Sequence, residues 1–321
     1  MPSQRPLLPV QKSFLSIFDS AVKLVRKLVD KVVKSWLHYW TKSSEIERIC
    51  AAGGYHTSEM SYFFAKSVRT SSQLAAISAE IFSSSEFSVD DVFDMIIKIK
   101  GMKAQDRDQN SSPKVHIIVM NITHCLNSLK HLNIVIGRLE EMLSVTVNSS
   151  IKHHSNLLEE FWSEMRPGVR RQSEKDWGEV GFQGMDPCSD FRGMGLLGLQ
   201  QLLFLSKKKI AAEMLLDAGH SRRFYPFACT GINVTAFTVE LLREGRLHRY
   251  LFRNLELSAL RMSQQEVWST SAGFDAVHEV YCEVFELFSK TWQARDPPNV
   301  MHFKDVFGDV KSAIHKKYAE F

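Results

Sequence analysis

The sequence predicts an all-α fold: a multi-helix domain preceded by a basic amphipathic N-terminal helix. Apolar residues recur at three- and four-residue spacing through most of the 321 positions, the repeat of one helical face. Sustained period-two alternation, the mark of a half-buried strand, is not found. The composition (44% hydrophobic, 24% charged, 16 Gly, 9 Pro) supports a buried core and excludes collagen-like and Pro-rich disordered chains.

The first element is a leader. From Phe14 to Trp40, apolar residues fall at 14, 15, 18, 21, 22, 25, 28, 29, 32, 33 and 36. Lys23, Lys27, Lys31 and Lys34 fill the other side, and Trp36, Tyr39 and Trp40 end the run. Residues 1–45 hold eight Lys/Arg against three acids, a net of +5; the remaining 32 basic and 33 acidic residues leave −1. Such a helix can lie in a membrane interface, with lysines near anionic headgroups and aromatic rings at headgroup depth. Its apolar face can equally dock on the rest of the chain. Lys23, Lys27, Lys31, Lys34, Trp36 and Trp40 are the candidate membrane contacts within residues 14–40.

Residues 46–100 read as a helical region that packs on, or continues, the domain that follows. Ser88 with Asp91 three positions on resembles a capping box and opens a helix to about Lys100. The stretch 101–114 is polar and Pro-ended, a loop and the best internal boundary. Helices are expected at about 115–146, with a break near 128–134, and at 151–165, where Met165-Arg-Pro-Gly168 stops the run. Further helices are expected at about 193–217, 230–244, 271–293 and 299–318, the last two separated by Pro297 and Pro298. Trp162, Trp268 and Trp292 sit among apolar neighbours and read as core.

Several function classes drop out. Cys50, Cys125, Cys188, Cys229 and Cys282 are odd in number and contain no C-x-x-C, which argues against a disulfide framework or cysteine zinc site and for a reducing compartment. The longest charge-free stretches, Val115–Leu129 and Phe224–Val239, are too short to span a bilayer, and residues 1–13 do not form a secretory signal. The near-neutral body offers no general case for nucleic-acid binding. There is no G-x-S-x-G or H-E-x-x-H, and His153-His154 lacks the helical spacing that aims two imidazoles at one metal. Gly193-Met-Gly195-Leu-Leu-Gly198 matches a dinucleotide fingerprint literally, but no strand precedes it.

One stretch is distinctive. Residues 177–199, WGEVGFQGMDPCSDFRGMGLLGL, hold Gly178, Gly181, Gly184, Gly193, Gly195 and Pro187, a shaped loop entering a helix. Within it Arg192 follows Asp190-Phe191 and precedes Gly193. An ion pair of Arg192 with Asp190 or Asp186 that merely shapes the turn is one reading. A guanidinium offered outwards is the other.

This stretch resembles the signature of the ELMO-domain-containing (ELMOD) proteins, approximately W-x-x-φ-G-F-Q-G-x-x-P-x-T-D-F-R-G-x-G-x-L-x-L. Trp177, Gly181, Phe182, Gln183, Pro187, Asp190, Phe191, Arg192, Gly193, Gly195, Leu197 and Leu199 match, and Ser189 replaces the usual threonine while keeping its hydroxyl. Looser likeness extends to 45–50, 231–235 and 285–296. The resemblance implies that residues 115–321 form an ELMO domain and that the protein is a GTPase-activating protein (GAP) for Arf-family or Arf-like small GTPases. Arg192 would then be the arginine supplied in trans, and the GTP and magnesium would belong to the partner, with no cofactor of the chain's own. Trp177, Gly181, Phe182, Gln183, Pro187, Asp190, Phe191, Gly193 and Gly195 would contact the GTPase or support the loop. Asp190 could hold the guanidinium in position beforehand, and the Gln183 amide could orient a water or brace the loop. The alternative is a non-catalytic scaffold or effector that binds a small GTPase or its exchange factor at a membrane; the related ELMO scaffold proteins lack the equivalent arginine. The expected setting is cytoplasmic and peripheral on an intracellular membrane, not secreted.

Overall fold

A computed structural model describes residues 25, 28–29, 32–51, 58–84, 86–102, 113–261 and 270–319, with side chains of 257–261 and 270 excepted. These residues form helices joined by turns and short 3₁₀ segments, with no strand among them. Helical residues 32–41 (α1) lead into α2 (Glu45–Ala51), α3 (Ser58–Thr70), α4 (Ala75–Ser83) and α5 (Val89–Lys100). Ser88 caps α5 through its hydroxyl, which accepts the Asp91 N–H at 3.2 Å, and Gly101 closes it in the left-handed conformation.

The axis of the molecule is α6 (Pro113–Ser144), a 32-residue helix about 48 Å long. It packs against α2, α3, α5, α8, α11 and α12. The expected break near 128–134 does not occur. Leu126, Leu129, Leu132, Val135 and Leu139 keep one buried stripe running through it. The polar residues within that stretch are satisfied in place: Ser128 bonds back to the His124 carbonyl, and Asn133 donates to the carbonyls of Ile81 and Ser84.

Beyond α7 (Lys152–Met165), the segment expected as one helix over 193–217 is two, α8 (Gly195–Ser206) and α9 (Ile210–Ala218). The division falls at Lys207-Lys-Lys209, where Lys207 pairs with Glu160 on α7 and Lys208 with Glu279 on α12. Two adjacent cations drawn to acids on two different helices favour a turn over a continued helix. α8 itself is apolar on every side, and it is buried by α6, α7, α10 and α12.

The chain ends with α10 (Phe227–Arg243), α11 (His248–Arg261), α12 (Thr270–Arg295) and α13 (Phe303–Ala319). α11 was not anticipated, although Leu247, Leu251, Phe252 and Leu255 carry the helical spacing and are all buried. Trp162 and Trp292 are core as expected, and Trp268 lies outside the described residues. One continuous apolar cluster reaches from Ile46 on α2 to Tyr318 on α13.

α1 stands apart from that cluster. Val25, Leu28, Val29, Val32, Val33, Trp36, Tyr39 and Trp40 are all exposed, Trp40 to 68%, so the described part of this face does not dock on the body. Lys34 pairs with Glu45 at 3.0 Å, and Ser44 with Glu47 forms a reciprocal cap at the start of α2. Lys23, Lys27 and Lys31 lie outside the described residues. No helix among the described residues is long and apolar enough to cross a membrane.

Candidate functional site

The glycine-rich stretch folds as two 3₁₀ segments, Glu174–Val180 and Pro187–Gly193, ahead of α8. Asp176 opens the first: its carboxylate accepts the Ser173 hydroxyl at 2.7 Å and the N–H groups of Ser173 and Gln172 at 2.9 and 2.6 Å. Those bonds, the hydroxyl foremost, hold its pKa below the ordinary aspartate value. Asp186 opens the second segment by accepting the Cys188 N–H at 2.9 Å, with Pro187 preset for the first turn.

Two glycines lock the loop to the body. Gly181 has φ +86°, and a Cβ on it would stand 2.2 Å from the Phe227 nitrogen at the start of α10. Its carbonyl accepts the Cys229 N–H at 3.2 Å. Gly195 has φ +49°, and a Cβ there would stand 2.4 Å from the Leu143 carbonyl oxygen near the end of α6. The next residue, Leu196, donates its N–H to Val145. Both positions need a residue without a side chain, for conformation and for space.

Beneath the backbone runs an aromatic layer. Trp162 meets Trp177 edge-on at 5.7 Å, Trp177 meets Phe182 at 5.7 Å, and Phe182 touches Phe161 at 6.0 Å and Phe191 at 5.6 Å. Edge-to-face contacts at these distances are favourable beyond the area they bury, by roughly 0.5–1.5 kcal/mol each. Trp177, Phe182, Pro187 and Phe191 are all buried, so the expected supporting residues do converge in space.

Arg192 is exposed at the outer surface of this layer. Its Nε donates to the Ser189 carbonyl at 2.9 Å, which fixes the side-chain stem. Among the described residues no carboxylate lies within ion-pair distance of its guanidinium, whereas Arg166 and Arg171 on the preceding segment pair with Glu179 and with Glu159 and Glu174. Asp190 does not hold the guanidinium in this arrangement. Asp190 Oδ2 accepts the Gln183 N–H at 2.9 Å and the Cys229 S–H at 3.5 Å, so its carboxylate faces inward. Asp186 is occupied as a cap. The ion-pair reading of Arg192 fails for the same reasons.

Gln183 braces the loop through its backbone N–H, and its side chain is exposed. Gly193 differs from its neighbours: its φ is not positive, and a Cβ there would meet nothing within 4 Å. Nothing in the fold requires glycine beside Arg192. Phe227, Cys229, Leu143 and Val145 complete the site and were not foreseen. Cys229 has no sequence signal, and burial, followed by the Asp190 charge, pushes its thiol up to about 12.

A stability series separates these roles. Gly181→Ala and Gly195→Ala are each expected to cost about 1–3 kcal/mol in urea unfolding, from overpacking against backbone. Gly193→Ala should stay within about 0.5 kcal/mol of the parent. Equal losses at all three positions would contradict the assigned contacts.

The comparisons with known proteins follow the same region. The profile of the ELMO/CED-12 family matches residues 137–307, more than half of the chain and the whole of this loop. The chain is 31% identical to ELMO domain-containing protein B of Dictyostelium discoideum over 88% of its own length and 93% of that protein. It is 32% identical to human ELMO domain-containing protein 2 over 47% of this chain and 48% of that protein. It is 28% identical to bovine ELMO domain-containing protein 1 over 62% and 63% of the two chains. No solved structure matches. From the braced loop to the relatives that share most of its length, the chain belongs to the ELMO/CED-12 family.

Proposed function

We propose that this protein is a GTPase-activating protein that stimulates GTP hydrolysis by an Arf-family or Arf-like small GTPase through Arg192. The observation that carries this reading is the state of Arg192: exposed, held by its stem, and without a carboxylate partner among the described residues. Phosphoryl transfer asks for little covalent chemistry. It asks for positive charge on oxygens that become more negative in the transition state. A guanidinium supplied in trans accelerates the step by roughly 10³–10⁵. Its planar, permanently charged fork can hold two oxygens at once, which an ammonium cannot.

The geometry around Arg192 supports that chemistry. Because Asp190 is turned inward, the guanidinium arrives at a partner without an internal ion pair to break. Because Gly193 carries no side chain and has open space around it, the partner's surface can approach the backbone beside Arg192. The nucleotide and magnesium come with the GTPase, and this chain supplies charge and position.

Membrane contact by the leader belongs to the same proposal. The exposed row Val32, Val33, Trp36, Tyr39 and Trp40, with Trp36 and Trp40 rings 6.1 Å apart, is an apolar face without a protein partner among the described residues. It lies within residues 1–45, whose net charge is +5. Interfacial seating of that face would bring the loop to membrane-bound GTPases at a cytoplasmic surface.

Single-turnover hydrolysis on a panel of GTP-loaded Arf and Arf-like proteins tests the catalytic claim. Arg192→Ala and Arg192→Lys should each lose about 10³-fold or more of the acceleration. Undiminished acceleration in both variants removes Arg192 from the chemistry, and binding without acceleration by the parent favours a scaffold. For the leader, co-sedimentation with phosphatidylserine vesicles should weaken in high salt and in Trp36→Ser/Trp40→Ser. Sedimentation indifferent to both would exclude the interfacial role.

A further inference from the structure

A second polar site lies away from the Arg192 loop and shares no lining residue with it. Between α3, α4, α6, α10 and α11 a cleft of about 620 Å³ opens, within the size range of small-molecule sites. A smaller cavity of about 170 Å³ adjoins it, and Arg69 and His248 line both. α10 links the regions: Phe227 at its start lies against Gly181, and Arg243 at its end lines the cleft.

The cationic groups here are arranged differently from the acids. The Arg69 guanidinium lies 4.2 Å over the Phe82 ring. A Cβ placed on Gly245 would be 3.4 Å from both Arg69 Nη1 and His248 Nδ1, so guanidinium and imidazole converge on one point. Lys66, one turn before Arg69 on α3, lines the smaller cavity. Of the surrounding carboxylates, Glu140 is engaged by Arg243 through two bonds at 2.8 and 2.6 Å, and Glu244 by Arg246 at 2.5 Å. Glu86 stays exposed on the cleft lining. Among the described residues neither Arg69 nor Lys66 meets a carboxylate within 4.0 Å, while Glu140 and Glu244 are already neutralised.

Two further observations point the same way. Gly137 lies inside α6 on the cleft wall, where a glycine costs roughly 0.5–1 kcal/mol relative to alanine. A Cβ there would meet nothing within 4 Å, so close packing does not demand the glycine; its effect is to keep the cleft open. Desolvation lowers the pKa of Arg69, and burial together with the Arg69 charge holds His248 down at about 4. A cation and a neutral imidazole thus face one space, with Glu140 and Glu244 already paired and Glu86 exposed on its lining.

We propose that this cleft and the cavity beside it bind a phosphomonoester, with the phosphate at their junction on Arg69 and on Lys66 of the smaller cavity, His248 as a further hydrogen-bonding group, and the rest of the ligand over Phe82, Ile136 and Leu242 of the cleft. The phosphate can be carried by a soluble metabolite or by a lipid headgroup. The bidentate fork of Arg69 and the paired state of Glu140 and Glu244 favour a phosphate dianion over a neutral ligand.

Calorimetric titration of the full-length protein with inorganic phosphate and with glycerol 3-phosphate tests the site. Saturable binding is expected, weakened about tenfold or more in Arg69→Gln and in Gly137→Leu, which fills the cleft from the opposite wall. In the parent, bound phosphate should also move the His248 imidazole titration, followed by NMR, to higher pH. Vesicles with and without phosphatidylinositol 4-phosphate distinguish the sources. An Arg69-dependent gain on the phosphoinositide vesicles assigns a lipid headgroup, and its absence beside positive soluble binding assigns a metabolite. No saturable binding to the soluble probes or the vesicles, or binding indifferent to both substitutions, would overturn the proposal.

Discussion

The arrangement of the loop depends on where one carboxylate points. Asp190 accepts the Gln183 N–H and the Cys229 S–H, tying the second 3₁₀ segment to the link that precedes it and to α10. Had it turned outward to Arg192, the loop would have lost its cross-brace and the guanidinium its freedom to engage a partner. The inward bond closes the eight residues 183–190 into a compact unit, and Phe182 and Phe191 meet edge-to-face beneath it. Arg192 is then left with a backbone carbonyl for its Nε and open space for the rest.

That unit is rigid because the body holds it from three sides. Gly181 meets α10, Gly195 meets the end of α6, and Trp177 rests on Trp162 of α7. A guanidinium that must reach a partner's phosphate oxygens works best when its position is set beforehand, since ordering it on binding would cost conformational entropy. The long α6 and the largely buried α8 form the frame that holds the loop's anchors. The leader is the opposite case: its apolar row is turned away from the frame, suited to a surface outside the chain.

Much of this was legible in the residues. The helical class followed from spacing, the cap at Ser88 from its hydroxyl and Asp91, and the loop from its crowd of glycines. The identity of the loop's buried supports was legible too, because Trp177, Phe182 and Phe191 are the aromatic positions of the signature. What stayed hidden was pairing. Nearby charges such as Asp190 and Arg192 suggest one another in a sequence, yet here the first bonds to Gln183 and Cys229 and the second to the Ser189 carbonyl. The continuity of α6 was hidden because Asn127, Ser128 and Asn133 look like a break until their bonds to nearby carbonyls are seen. The cleft beside Arg69 joins residues up to 179 positions apart, from Arg69 to His248, and no local pattern announces it.

The central claim, that Arg192 acts on the transition state of another protein's nucleotide, has a direct physical readout. GDP with aluminium fluoride mimics the transferring phosphoryl group, so a guanidinium that stabilises the transition state should bind that form best. The measurement is the affinity of this protein for one responsive Arf-family GTPase in its GDP, GTP-analogue and GDP–aluminium fluoride states, for the parent and Arg192→Ala. The account predicts tightest binding to the fluoride complex, with that preference lost in the variant. Equal affinity for the GTP-analogue and fluoride states, unchanged by Arg192→Ala, would contradict it.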